Sequence, residues 1–354
     1  MKILMFKGYN PEFRDDNEIF YEMLKEYGHT VKKITVRDTG TSLCIDERIN
    51  INDYKDYDVL WATFEREIIV ALEFNKILKK PLVGHYEWIP PWRTGLESPT
   101  IWGYEDHTND TLASKQFSIK SYKFLFDNYL KCDMKTVPES YCLSTIEKLN
   151  DTKVDKTFIK PYLIDETNLL NETNKEIKQR YQILVIARLV PHKRLHHIIK
   201  ALSMVKNPPH LKIIGTGDEQ IRLIKMAKKY RLSIEFIGVG DTEKKAKAIQ
   251  ESLFLVNIWG MLPFFEAALF KKPCITYKHP YTQNMLGKMP VKFVENNNIE
   301  ELANAIQEYR DCPDIVKQTG ELAYKSFINN EANIYTKGEA IKRLIALFET
   351  VIKK

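Results

Sequence analysis

Four groups of residues in this chain have types and spacing that could do chemistry together. Arg188 follows an apolar run, ILVIA, and Lys193 sits a little further on in a basic turn, His192-Lys193-Arg194. Gly215-Thr216-Gly217 follows a second apolar run, LKII. Glu266 stands alone in LPFFEAALF, after a third run, FLVNI. Two cations can meet a diphosphate, glycines let a backbone approach it, and a carboxylate can accept from the hydroxyls of a ribose. As a bond to a diphosphate breaks, the leaving group gains negative charge. Fixed cations and amide dipoles stabilise that charge without a metal.

These residues are far apart in sequence, so regular elements must bring them together. The second half alternates ILVIA, helix, LKIIG, helix, IEFIG, helix, FLVNI, helix, CITY. The helix after the basic turn carries Leu195, Ile198, Ile199, Leu202 and Val205 on one stripe. This rhythm predicts a parallel sheet with helices on both faces. In such sheets ligands bind outside the carboxyl ends of the strands. Arg188, the Gly215–Gly217 turn and the helix opening Leu262-Pro263-Phe264 all fall at such ends. The first amides of that helix can point at an anion. Phe236 to Val239, around Ile237, are expected to line a nucleotide base.

The first half has the same rhythm. KILMF (2–6), VKKITV (31–36), DVLWA (58–62) and PLVGH (81–85) read as strands. Ile19, Phe20, Met23, Leu24 and Tyr27 share a helical face, which Gly28 ends. Residues 86–107 break the pattern with Trp88, Trp92 and Trp102 around Pro90-Pro91. So long and aromatic a loop is expected to do more than connect, and we assign its tryptophans to the acceptor side. A long helical pattern covers about 111–131. The polar stretch 165–180 has no apolar period and reads as a linker. Near the end, Ile341, Leu344, Ile345, Phe348 and Ile352 form an amphipathic stripe.

Composition narrows the classes. At 354 residues the chain exceeds one ordinary core. We expect a domain over 1–165 and a second over 175–334, with the segment 335–354 packing back on the first. The five cysteines are odd in number and scattered, which argues for a reducing compartment, hence a cytoplasmic location. No apolar run approaches membrane-spanning length. The basic end, Lys353-Lys354, leaves peripheral membrane contact open. A net charge of +6 suits an anionic small ligand better than nucleic acid, which needs a concentrated basic patch. No metal site is expected. His192 and His196 are spaced four apart, but Lys193 and Arg194 between them repel a cation. Asp56-Tyr57-Asp58 reads as a turn leading into a strand.

The order of ARLVPHKR, LKIIGTGDE, IEFIG and LPFFEAALFKKPCIT resembles the nucleotide-binding domain of GT-B-fold, family-four-type retaining glycosyltransferases. The resemblance implies two doubly wound α/β domains facing a cleft. It implies glycosyl transfer from a nucleotide sugar, UDP or GDP being the expected nucleotide, to a glycan, lipid-linked or protein acceptor. The family's diphosphate-binding Arg and Lys correspond to Arg188 and Lys193. Its ribose-holding glutamate corresponds to Glu266, within Leu262, Pro263, Glu266 and Ala267. His85 falls where the family places a histidine near the reacting sugar, and Gly8 is what remains of an N-terminal glycine loop. The family pairs two glutamates eight positions apart, but the first position here is Ile258. That departure keeps two alternatives alive: a sugar-nucleotide 2-epimerase on the same scaffold, and a degenerate nucleotide-binding protein without turnover.

Overall fold

In the computed structural model the described residues are 1–8, 16–38, 42–45, 48–86, 123–138, 140–172, 177–258, 262–332 and 334–353. Trp88, Trp92 and Trp102 lie outside them, as does the expected start of the helix over 111–131. The chain divides into two compact units.

Among the described residues, the first unit takes in those up to 163 and returns for 338–353. Its seven strands are β1 (Lys2–Gly8), β2 (Thr30–Asp38), β3 (Leu43–Ile45), β4 (Val59–Ala62), β5 (Leu82–His85), β6 (Met134–Val137) and β7 (Thr157–Ile159). They lie in the order β3-β2-β1-β4-β5-β6-β7. All neighbours pair in parallel except β3, which runs antiparallel to β2. Ile3 to Phe6 of β1 are buried throughout, as a strand covered on both faces must be. Short β3, which sequence periodicity did not reveal, closes one edge. The last helix, Lys337–Ile352, lays its apolar stripe on this unit. Phe348 meets the enclosed Trp61 of β4 edge-on, with centroids 5.4 Å apart, and Phe20 meets Trp61 at 6.4 Å.

The chain passes to the second unit within β8 (Tyr162–Ile164). The stretch 165–180, expected to be a linker, begins with a short helix, Glu166–Asn171. Asp165 caps it by accepting from Asn168 N, and Leu169 supplies the buried side chain that a periodicity search over six residues cannot register. Lys337, where the chain leaves this unit, ties back to that cap. Its Nζ lies 3.1 Å from Asp165, and its amide donates to Glu166 at 2.9 Å.

The second sheet contains β9 (Gln182–Ile186), β10 (His210–Ile214), β11 (Ile234–Gly238), β12 (Leu255–Val256), β13 (Cys274–Tyr277) and β14 (Lys292–Val294). Their order is β11-β10-β9-β12-β13-β14, all parallel. In both sheets the order reverses beside the first strand, between β1 and β4 and between β9 and β12. Such a reversal leaves a crevice at the carboxyl ends, because the flanking helices depart to opposite faces. The helix Leu195–Leu202 buries Leu195, Ile198, Ile199 and Leu202 against the second sheet, and Val205 joins the same core just beyond the helix.

Candidate active site in the second unit

The crevice between β9 and β12 is shaped first by backbone. Beyond β9 the chain keeps pairing with the turn after β10: Ala187 N donates to Ile214 O at 3.0 Å, and Leu189 N to Thr216 O at 2.8 Å. Glu219 N then donates back to Leu189 O at 3.0 Å. Gly215 and Gly217 have φ values of +145° and +152°. A Cβ on Gly215 would collide with the Ala187 carbonyl, and one on Gly217 with that of Leu189. Only glycine permits so close an approach in this conformation. Gly215 N also donates to Gly238 O at 2.8 Å, which brings the end of β11, with Ile237, beside the same turn. Arg188, Gly215, Thr216, Gly217 and Ile237 are thus stitched together.

Across the crevice, β12 is only two residues long. The buried Asn257 extends its hold on β9: Oδ1 accepts from Ile186 N at 3.1 Å and Nδ2 donates to Ile186 O at 2.8 Å. One amide side chain therefore replaces two ladder bonds at the point where Arg188 emerges. Sequence reading missed Asn257, although a lone polar residue at the end of FLVNI was a signal.

Arg188 is exposed and Lys193 partly buried, and neither has a hydrogen-bond or ion-pair partner among the described residues. Lys193 closes the short 3-10 turn Pro191–Lys193. Desolvation, and then the nearby Arg188 charge, push its pKa down to about 8. Two cations held near each other without an anion destabilise one another, and an anion between them would offset that repulsion.

The turn is anchored by Arg194, which has a left-handed φ of 50°. The residue is 2% exposed, and its guanidinium donates to the Oδ1 atoms of Asn296, at 2.8 Å, and Asn297. It also lies 6.0 Å from the Tyr277 ring centre. The Tyr277 hydroxyl is 2.9 Å from His197 Nδ1. Burial first, then the charges of His196, Arg194 and Lys200, push the His197 pKa down to about 3, so its imidazole stays neutral. Arg194 is thus a cation fixed internally, one position from a cation left free.

Glu266 lies on the helix Leu262–Leu269, is 7% exposed, and is ion-paired with Lys245. Leu262 is exposed and Pro263 partly so, while Phe264 turns into the core. Ile258 is 2% exposed and belongs to the hydrophobic core, with its carbonyl accepting from Thr276 Oγ1 at 3.2 Å. The position that carries the first glutamate in the resembling family is therefore a packing residue here.

In the first unit, Gly8 ends β1 against the Glu67 side chain. His85 ends β5 fully enclosed. Its Nδ1 is 3.0 Å from Thr136 Oγ1, its Nε2 is 3.4 Å from Tyr162 Oη, and its ring meets Phe64 and Tyr162 edge-on. Asp56 and Asp58 both engage Lys2, through its ammonium and its amide respectively, as a turn feeding a strand would.

Residues 167–326 match the family model described as glycosyl transferases group 1. The chain is 25% identical over 235 residues to the poly(glycerol-phosphate) alpha-glucosyltransferase of Bacillus subtilis (strain 168), covering 61% of this chain and 33% of that protein. It therefore spans about a third of that relative's length. It also covers 55% of the S. aureus TarM chain solved with UDP, at 18% identity and a TM-score of 0.61 over 82% of its own length. Sucrose-phosphate synthase from Thermosynechococcus elongatus superposes over 99% of both chains with a TM-score of 0.74 and 14% identity. Anabaena HepE in complex with UDP gives 0.69 at 12% identity, over 99% of this chain and all of that one. The chain thus has the fold of these solved glycosyltransferases, and its second unit matches the model of glycosyl transferases group 1.

Proposed function

We propose that this chain is a glycosyltransferase that moves a sugar from a nucleoside-diphosphate sugar to an acceptor, with retention and without a metal. The observation that carries the reading is the pair Arg188 and Lys193, two uncompensated cations at the crevice of a doubly wound sheet. As the glycosidic bond breaks, charge builds on the departing diphosphate, and these cations meet it. The glycine turn lets the backbone approach, Glu266 takes the ribose hydroxyls, and the departing phosphate oxygen helps take the acceptor proton. UDP is favoured as the nucleotide, since TarM and HepE were both solved with UDP. A glycan, lipid-linked or protein acceptor would meet the first unit. An anionic one suits the net charge of +6 and the poly(glycerol-phosphate) named for the bacterial relative. Cytoplasmic placement with peripheral membrane contact completes the proposal. No helix among the described residues is long and apolar enough to cross a membrane.

A thermal-shift screen with UDP, GDP, ADP and their sugars, in EDTA and in Mn²⁺, tests the site, because a ligand that binds only the folded state raises its apparent stability. Stabilisation by one diphosphate in EDTA, lost in Arg188→Ala, is expected. Stabilisation only with Mn²⁺ would overturn the metal-free reading. Ile258 motivates a second reading, a nucleotide binder without turnover. Release of free diphosphate in the presence of acceptors, measured across a donor panel, separates the two.

A further inference from the structure

Glu266 is held by a partner that none of the sequence motifs contains. Lys245 stands in the first turn of the helix Thr242–Glu251, which follows β11. Asp241 caps that turn by accepting from Lys244 N at 2.8 Å. The two adjacent lysines then go different ways. Lys244 stays at the surface, paired with Asp241. Lys245 turns inward, with its side chain 26% exposed, and donates to Glu266 Oε1. A capped helix on one connection thus reaches the carboxylate on another, 21 residues on.

A carboxylate offers two oxygens and about four lone-pair sites. Lys245 takes one on Oε1, which leaves Oε2 and the rest of Oε1 for hydroxyl donors. Burial makes the orientation of such a group matter, because a misdirected hydroxyl has no water to fall back on. We propose that Lys245 is a positioning residue: it fixes the Glu266 carboxylate in the orientation that accepts from a ribose 2′-hydroxyl, and so sets selectivity for ribonucleotides over 2′-deoxyribonucleotides. The proposal rests on the reading of Glu266 as the ribose-holding group. An ammonium that merely attracted the diphosphate would strengthen ribo and deoxy ligands alike. One that fixes the carboxylate acts on the ribo ligand alone.

The test uses calorimetry on the full chain with UDP and 2′-deoxy-UDP, or with GDP and 2′-deoxy-GDP if the protein binds GDP more tightly. Wild type is expected to prefer the ribo form by about tenfold or more, the worth of a hydrogen bond to a charged acceptor. Lys245→Ala should bring that ratio to within about twofold by weakening the ribo form, with the deoxy affinity nearly unchanged. Lys245→Arg should keep most of the preference. Glu266→Gln should remove it, and the double variant should lose no more than either single one. Thermal unfolding of each variant reports whether it folds. The proposal is overturned if Lys245→Ala keeps the ratio, weakens both ligands equally, or tightens the ribo form. If Glu266→Gln keeps the ratio, the reading of Glu266 fails as well. If neither diphosphate binds wild type, the whole site assignment fails.

Discussion

The carboxyl ends of the two sheets treat their polar side chains differently. In the first unit, Lys160 is 3% exposed, and its ammonium donates to Asn17 Oδ1 at 2.9 Å and lies 5.0 Å from the Tyr162 ring centre. Nearby His85 is bonded at both nitrogens. In the second unit, Lys193 has no such partner beside an equally unpaired Arg188. In that unit the buried Lys212 is paired with Glu251 at 3.1 Å, whereas desolvation alone lowers the pKa of Lys272 to about 8. A lysine gathered in by its own fold serves stability. One left desolvated and unpaired costs stability, which the proposed diphosphate would offset.

The largest effect that would sharpen this contrast lies in the backbone beneath the free cations. Gly215→Ala should destabilise the protein by about 3 kcal/mol or more, since it adds both strain and overlap with the Ala187 carbonyl. Denaturant unfolding measures it, and an unchanged midpoint would mean that the turn is free to move. Next comes His85→Ala, which leaves a cavity and removes one of the two hydrogen bonds of the Thr136 hydroxyl. It should cost about 2–4 kcal/mol of stability while leaving diphosphate affinity unchanged. A variant as stable as wild type but without transfer activity would break the comparison, and would return His85 to the reacting centre.

Lys193→Ala and Arg188→Ala should do the reverse, each weakening diphosphate binding by about 1.5–3 kcal/mol with no loss of stability, and Lys193→Ala should make the unliganded protein more stable below about pH 8. Their pH dependence is sharper. The free-state pKa of Lys193 is depressed from 10.5 to about 8. An anion requires the protonated form, so above about pH 8 binding must take up a proton. Affinity should then fall by up to about tenfold per pH unit. In the absence of ligand the unfolded chain binds the extra proton between about 8 and 10.5, so stability should rise with pH across that window. Lys193→Met should abolish both trends. A flat affinity profile in wild type from pH 7 to 9.5 would place Lys193 outside the binding site. The smallest effect belongs to Ile258. As a core residue, Ile258→Val should cost about 1 kcal/mol of stability and leave diphosphate affinity untouched. A selective loss of sugar-donor affinity would put that side chain back in the site.

The resemblance was legible because the second unit's chemistry is written locally. Arg188, Gly215 and Gly217 each sit within a few residues of a strand end, Glu266 lies on the helix that follows β12, and strand ends show in apolar runs. The last helix was legible for the same reason, its stripe repeating at helical spacing. What escaped were single side chains acting over long separations. Asn257 reaches back 71 residues to β9, and Arg194 reaches 103 residues ahead to Asn297. Nor did spacing reveal that 166–171 is a helix, since six residues contain too little period to detect.

By itself, then, the sequence determined that two parallel sheets form, that their carboxyl ends carry cations and glycines, and that the first motif glutamate is replaced by Ile258. These follow from burial pattern and residue type, which are properties of neighbouring residues. Tertiary structure alone decided which cations stay free and which are already held, that Glu266 is paired with Lys245, that His85 is enclosed, and that Ile258 points into the core. A charge is free or spent according to what stands within about 4 Å of it, and that distance is set by packing between segments that the chain order keeps far apart.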